Sequence, residues 1–244
     1  MSARNNIHLR CLSTLLACTA FCSAHAATVT ARVAWEDGAG KATRAHETEN
    51  ILFWLTPVEG GVPASLPLKT SPRLRLVQKN KSFEPHVLVV PVGSLVEFPN
   101  RDPFFHNVFS LFEGKRFDLG LYEAGTTRDV RFDKPGVSYI FCNIHPEMSA
   151  VVIAVQTPYY ATSDARGEIM IRDVPAGRYT LRVWYDAATA ETLNSMTRQI
   201  TVSEENLALG SLRLVRANVV QSHKNKYGRD YDPPAPDSPA YPHP

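Results

Sequence analysis

Within the seven residues Cys142-Asn143-Ile144-His145-Pro146-Glu147-Met148 the chain offers a thiol, an imidazole and a thioether at intervals of three. Pro146 biases His145 away from helical dihedrals, so the stretch reads as a tight loop able to turn all three donors toward one point. Upstream, Phe104-Phe105-His106-Asn107-Val108 places a second imidazole at the start of another apolar segment. Two imidazoles, one thiolate and a weak axial thioether form the donor set of a mononuclear blue-copper centre. Soft sulfurs hold Cu(I), imidazoles suit both oxidation states, and a rigid surround keeps reorganisation small, so the chemistry expected is one-electron transfer. His106, Cys142, His145 and Met148 are therefore the candidate ligands of one copper ion per chain, with the metal holding Cys142 as thiolate.

Taken singly, each of these residues has an ordinary explanation: a buried cysteine packs, and a methionine fills core gaps. Their joint spacing is what points to a metal. His46, His86, His223 and His243 lack comparable partners and read as surface or turn residues, with His86, after Pro85, the nearest to a supplementary donor. The Tyr159-Tyr160 and Trp184-Tyr185 pairs read as core or inter-domain packing. A multicopper oxidase needs His-x-His pairs, which the sequence lacks. A structural zinc site would favour more thiolates or a stronger fourth donor than a thioether. With no Gly-x-Ser-x-Gly, His-Glu-x-x-His or Gly-rich phosphate loop either, no enzymatic turnover is expected.

The ligands need short strands to hold them, and the sequence supplies many. Residues 28–35 and 50–56 are rich in β-branched and aromatic types, and the Gly- and Pro-containing stretch from Pro57 to Pro72 marks a boundary. From residue 73 a denser series follows: 73–78, 86–92, 95–98, 107–111, 127–133, 137–142 and 150–156, punctuated by Val92-Gly93-Ser94, Pro99-Asn100 and Lys134-Pro135-Gly136. After Pro158, segments 167–171, 178–184, 198–202 and 211–215 suggest a second, small Ig-like or prealbumin-like β module. The expected organisation is all-β: an N-terminal β segment at 27–72, a copper-binding domain at 73–156, the second module at 157–216, and a disordered, polar, Pro-rich tail at 217–244 that cannot support a core.

Residues 1–26 read as an export peptide: Arg4 and Arg10, an apolar run from Cys11 to Phe21, then Ala24-His25-Ala26. A competing reading takes Leu15-Leu16-Ala17-Cys18 as a lipoprotein box that leaves a lipid anchor on Cys18. Cleavage near Ala26 removes Cys11, Cys18 and Cys22, so the mature chain keeps Cys142 alone, and a lone cysteine in an oxidising compartment needs a reason such as metal binding. It also rules out a binuclear copper centre, which takes two cysteines in its ligand loop. Losing Arg4 and Arg10 leaves 24 basic residues against 24 acidic ones, which argues against a nucleic-acid partner. No later stretch reaches the roughly 18 apolar residues of a membrane helix, and the expected location is the periplasm.

The segments Phe83-Glu84-Pro85, Gly93 to Asn100, Phe105-His106-Asn107-Val108 and Cys142 to Met148 resemble the cupredoxin family, over roughly a third of the chain. The spacing Cys-x-x-His-x-x-Met with proline after histidine is similar to amicyanin, and the layout resembles exported methylamine-utilisation or plastocyanin-like proteins. The resemblance implies a Greek-key β-sandwich, a brace at Asn107 for the ligand loop, and an electron exit along the His145 ring edge through an apolar patch. It also implies a redox protein partner, a cytochrome or an exported dehydrogenase. Glu147 stands where amicyanin-like loops commonly carry an apolar residue, so methylamine dehydrogenase is not carried over as that partner. Two other functions are compatible with the same residues. One is copper storage or delivery, aided by His223 and His243 in the tail; the other is an adhesion or scaffold role of the second module.

Overall fold

The seven residues Ser149–Val155 carry almost no polar side chain, and a strand apolar on both faces must be covered on both. The protein, described as a computed structural model over residues 26–35, 48–59, 73–111, 113–215 and 223–231, does this by stacking sheets in layers. In chain order β1 (Ala27–Trp35) and β2 (Leu52–Pro57) come first. Then follow β3 (Leu74–Arg75), β4 (Val77–Lys79), β5 (Ser82–Glu84), β6 (Val87–Pro91), β7 (Ser94–Pro99), β8 (His106–Ser110), β9 (Phe117–Tyr122), β10 (Thr127–Phe132), β11 (Gly136–Cys142) and β12 (Ser149–Val155). The series ends with β13 (Tyr160–Thr162), β14 (Glu168–Val174), β15 (Gly177–Trp184), the short helix α1 (Ala190–Met196), β16 (Arg198–Val202) and β17 (Leu207–Leu214). The fold is all-β, and no helix among the described residues is long and apolar enough to cross a membrane.

Alternation along the strands decides the layers. Sheet β10-β7-β3 turns Val96, Phe98, Val130 and Phe132 inward against Val90, Val108, Ile140, Cys142, Val152 and Ala154 of sheet β6-β12-β11-β8-β9. Phe98 and Phe132 are fully buried in this first sandwich, each contributing about 1.5–3 kcal/mol through loss of contact with water. The odd residues of β12, Val151, Ile153 and Val155, face the other way and form a second apolar layer with Leu52 and Trp184. β2 repeats the device, sending Leu52 and Trp54 to that layer and Phe53 and Leu55 to a third core.

That third core lies between sheets β13-β2-β15-β16 and β14-β1-β17. The separate N-terminal segment expected at 27–72 does not stand alone. β1 pairs with β14 and β17, β2 with β13 and β15, and these strands complete the module begun after Pro158. Ala27, Val29, Ala31 and Val33 supply an apolar face that only those distant strands cover. Residues 73–156 are thus inserted between β2 and β13 of a second, seven-stranded sandwich. The expected export peptide up to residue 25, Cys18, His46 and His243 lie outside the described residues.

The layer between the sandwiches also carries polar links. His86, ahead of β6, gives its Nδ1 to the Ser149 carbonyl at 3.2 Å and its Nε2 to Asp186, just past β15, at 3.1 Å. The Asp186 hydrogen bond raises the His86 pKa above its ordinary 6.5 against the opposing effect of burial. Because the folded value is the higher one, the pair's contribution is complete below about pH 6.5 and is lost as pH rises through the folded value. The melting-temperature gap between the protein and Asp186→Asn should therefore be open at about pH 5.5 and closed by about pH 9. A gap of equal size at both ends would refute this assignment.

Candidate metal centre

The inward parity of β11 puts Ser138, Ile140 and Cys142 on the core face, and β11 pairs with β8 so that Cys142 lies opposite Val108. His106, two residues before Val108, shares that inward face at the start of β8. Past Cys142 the chain turns back through a closed loop. Asn143 N donates to the Asn107 carbonyl at 2.8 Å, Met148 N to the His145 carbonyl at 3.1 Å, and Cys142 N to the Met148 carbonyl at 3.2 Å. This brings His145 over Cys142 and places Met148, fully buried, in the same apolar cluster as Cys142.

Three donor atoms converge. Cys142 Sγ lies 3.6 Å from His106 Nδ1 and 3.5 Å from His145 Nδ1, and the two nitrogens are 3.2 Å apart. A point equidistant from the three lies about 2.0 Å from each, close to the 2.0–2.3 Å typical of metal–imidazole and metal–thiolate bonds. Two imidazole nitrogens at this separation need a proton or a cation between them. All three residues are buried, and among the described residues no other trio of His, Cys, Asp or Glu converges in this way.

The electrostatics keep the lone pairs available. Burial, reinforced by the neighbouring His106, pulls the His145 pKa down to about 4. For His106, burial outweighs the pull of Asp102 and lowers the value as well. Burial pushes the Cys142 thiol up, although the backbone N–H groups of Ile144, Asn107 and His145 aim at the sulfur and favour thiolate. A buried thiolate beside two neutral imidazoles calls for a cation, which makes the donor set fit a soft metal ion.

Asp102 is a member of the site that the sequence reading missed. Its carboxylate accepts the His106 Nε2–H at 2.9 Å, in a loop tied by Asn100, whose side chain accepts from Asp102 N at 3.0 Å and donates to the Phe104 carbonyl at 2.7 Å. The Phe104 ring packs at 5.3 Å on His106 and 5.4 Å on His145. The available signal was a carboxylate four residues ahead of a candidate ligand. Asn107 braces the loop with its backbone, while its side chain donates to Asp118 at 2.7 Å.

The tail also differs from expectation. Residues 223–231 lie against the outer face of the five-stranded sheet at the ligand end. His223 stacks on Phe141 at 4.0 Å, the Tyr231 hydroxyl donates to the Cys142 carbonyl at 2.7 Å, and Lys226 donates to Asn143 and to Asp118. Burial pushes the Asp118 carboxyl up, but Lys226, Gly120 and Asn107 outweigh it and hold the group below its ordinary range. A polar composition cannot build a core, yet it can dock on one already formed. His223 is consequently no free surface residue. His145 is 7% exposed; its chain neighbour Ile144 is 38% exposed, Phe105, the chain neighbour of His106, is 47% exposed, and Glu147 is exposed.

No family model matches the chain, and no curated protein matches it. Among solved structures it is similar to a purple cupredoxin from Nitrosopumilus maritimus, with 23% identity over 34% of this chain and 99% of that one and a TM-score of 0.31. It is similar to a copper-containing nitrite reductase from Thermus scotoductus, with 29% identity over 41% of this chain and 25% of that one and a TM-score of 0.33. A reduced amicyanin variant matches at 21% identity over 34% of this chain and 82% of its own, with a TM-score of 0.32.

Proposed function

We propose that this chain is an exported cupredoxin-type protein that binds one copper ion through His106, Cys142, His145 and Met148 and carries single electrons between redox proteins. The observation that carries the reading is the buried triangle of Cys142 Sγ, His106 Nδ1 and His145 Nδ1. Copper, when bound, supplies a one-electron couple between Cu(II) and Cu(I). The residues of the chain do the rest. Neutral imidazoles present lone pairs, three backbone N–H groups favour the Cys142 thiolate, β8 and β11 hold His106 and Cys142 in place, and the hydrogen-bonded loop from Cys142 to Met148 holds His145. Small movement between those states is what makes transfer fast.

The exposed Ile144 beside His145 and the exposed Phe105 beside His106 are apolar residues suited to docking a transient partner, a cytochrome or an exported dehydrogenase, and the exposed Glu147 biases the choice among such partners. Substrate turnover forms no part of the proposal. Storage or delivery of copper through labile tail histidines finds less support, since His223 is stacked on Phe141 and bonded to Tyr231.

The test is addition of Cu(II) to the purified chain. One equivalent should bind, with an intense visible copper–thiolate absorption, the narrow EPR hyperfine pattern of a constrained copper site, and a reversible voltammetric wave. A colourless mixture whose Cys142 still reacts with a thiol reagent would overturn the proposal. Met148→Leu separates ligand from packing, because the swap conserves volume and should cost less than about 1.5 kcal/mol of stability. Copper and colour should persist while the midpoint potential rises, since an axial donor favours Cu(II). An unmoved potential would reduce Met148 to core filling.

A further inference from the structure

We propose that Asp102 is a positioning residue that presets His106 and biases the metal couple toward Cu(II), an inference that rests on the copper reading above. The Asp102 carboxylate is almost fully buried and accepts three N–H groups: Asn80 N at 2.5 Å, Lys81 N at 3.0 Å and His106 Nε2 at 2.9 Å. A carboxylate out of water persists only with such charge-assisted partners. Two of the three are backbone amides, so the position of the carboxylate is set by the chain and not by a free rotamer.

The turn that supplies those amides carries a conformational cost. Asn80 and Lys81 both adopt left-handed backbone, at φ 55° and 52°, and neither is glycine. The hairpin between β4 and β5 keeps this shape with both N–H groups pointed at one carboxylate. Surface backbone is thereby committed to a group whose remaining acceptor capacity serves a candidate metal ligand.

Two consequences follow for His106. Donation of its Nε2–H to Asp102 leaves Nδ1 unprotonated, and Nδ1 is the atom in the donor triangle, so the tautomer is chosen before any metal arrives. The negative charge on the far side of the imidazole also strengthens its donation and favours the more highly charged ion. In a buried site this effect is weakly screened. Lys81 places its Nζ 5.8 Å from the centroid of the Phe104 ring, which itself packs on His106.

The test compares the copper-loaded double variant Asp102→Asn/Lys81→Gly with Lys81→Gly alone. Asparagine keeps an oxygen for His106 and removes the charge, while glycine relaxes the left-handed turn so that lost hairpin stability is not mistaken for the effect. The preference for Cu(II) over Cu(I) should fall about tenfold, raising the midpoint by about 59 mV, with the visible band and EPR pattern retained. A change in that preference of less than about 1.5-fold, with the same spectra, overturns the potential-setting role. In the metal-free protein, ¹⁵N shifts should show His106 protonated at Nε2 and bare at Nδ1; the opposite tautomer overturns the positioning role. A chain that takes up no copper sinks the metal reading instead, and the ¹⁵N measurement still decides what Asp102 does to His106.

Discussion

Cys142→Ser is expected to leave the protein folded and to abolish the coloured copper centre proposed above. Serine occupies nearly the volume of cysteine, and its hydroxyl, set between two imidazole nitrogens now 3.5–3.6 Å from the sulfur, finds a hydrogen-bond partner without leaving the core. What is lost is the soft anionic donor, since a serine hydroxyl does not ionise there as a coordinated thiol does. Outer partners of metal ligands alone change affinity by about 10–100-fold, so removal of a direct ligand should exceed the upper end of that range. Competition with a chelator for Cu(I), read beside the visible spectrum, measures both effects. A serine variant that kept colour and affinity would assign the metal elsewhere.

Trp184→Ala should cost about 3–5 kcal/mol and divide one unfolding transition into two. Trp184 is buried in the layer between the sandwiches with Leu52, Val151, Ile153 and Val155, and Tyr139 of the opposite sheet packs against the same cluster. Truncation opens a cavity between the two sheets. The sandwich that carries the metal ligands has its own core of phenylalanines and valines, so it should outlast the other and keep its copper spectrum through the first transition. A single transition weakened by less than about 1 kcal/mol would mean that the layer does not couple the two sandwiches.

Local pattern made the ligand region legible. Cys142, His145 and Met148 share a loop bounded by Pro146, and His106 opens a strand, so spacing alone placed them near one another; the structure brings three donor atoms together and buries Met148 beside Cys142. What escaped was whatever depends on long-range pairing or on irregular strands. Nothing local to Ala27–Trp35 says that its partners are β14 and β17, more than a hundred residues away. β9 escaped because Gly120, at φ 67°, interrupts its pattern and its ladder with β8 shifts register. α1 escaped because it fully buries none of its seven residues and offers, beyond the Thr189 cap, only Leu193 and Met196, half-buried against the third core, as an apolar pair. Asp102 looked like an ordinary loop carboxylate because its importance lies in what it touches.

The insertion between β2 and β13 has a consequence for how the chain comes to be folded. β1 leaves the ribosome long before its neighbours β14 and β17, and must wait with both edges unpaired and its apolar face uncovered. The inserted sandwich, built from one continuous stretch, is complete by then and can close on itself, bringing the flanking segments close enough to zip. Early chain release or proteolytic loss of the last strands would therefore yield a species with a finished candidate metal site and a naked N-terminal ribbon, prone to pair with a second chain.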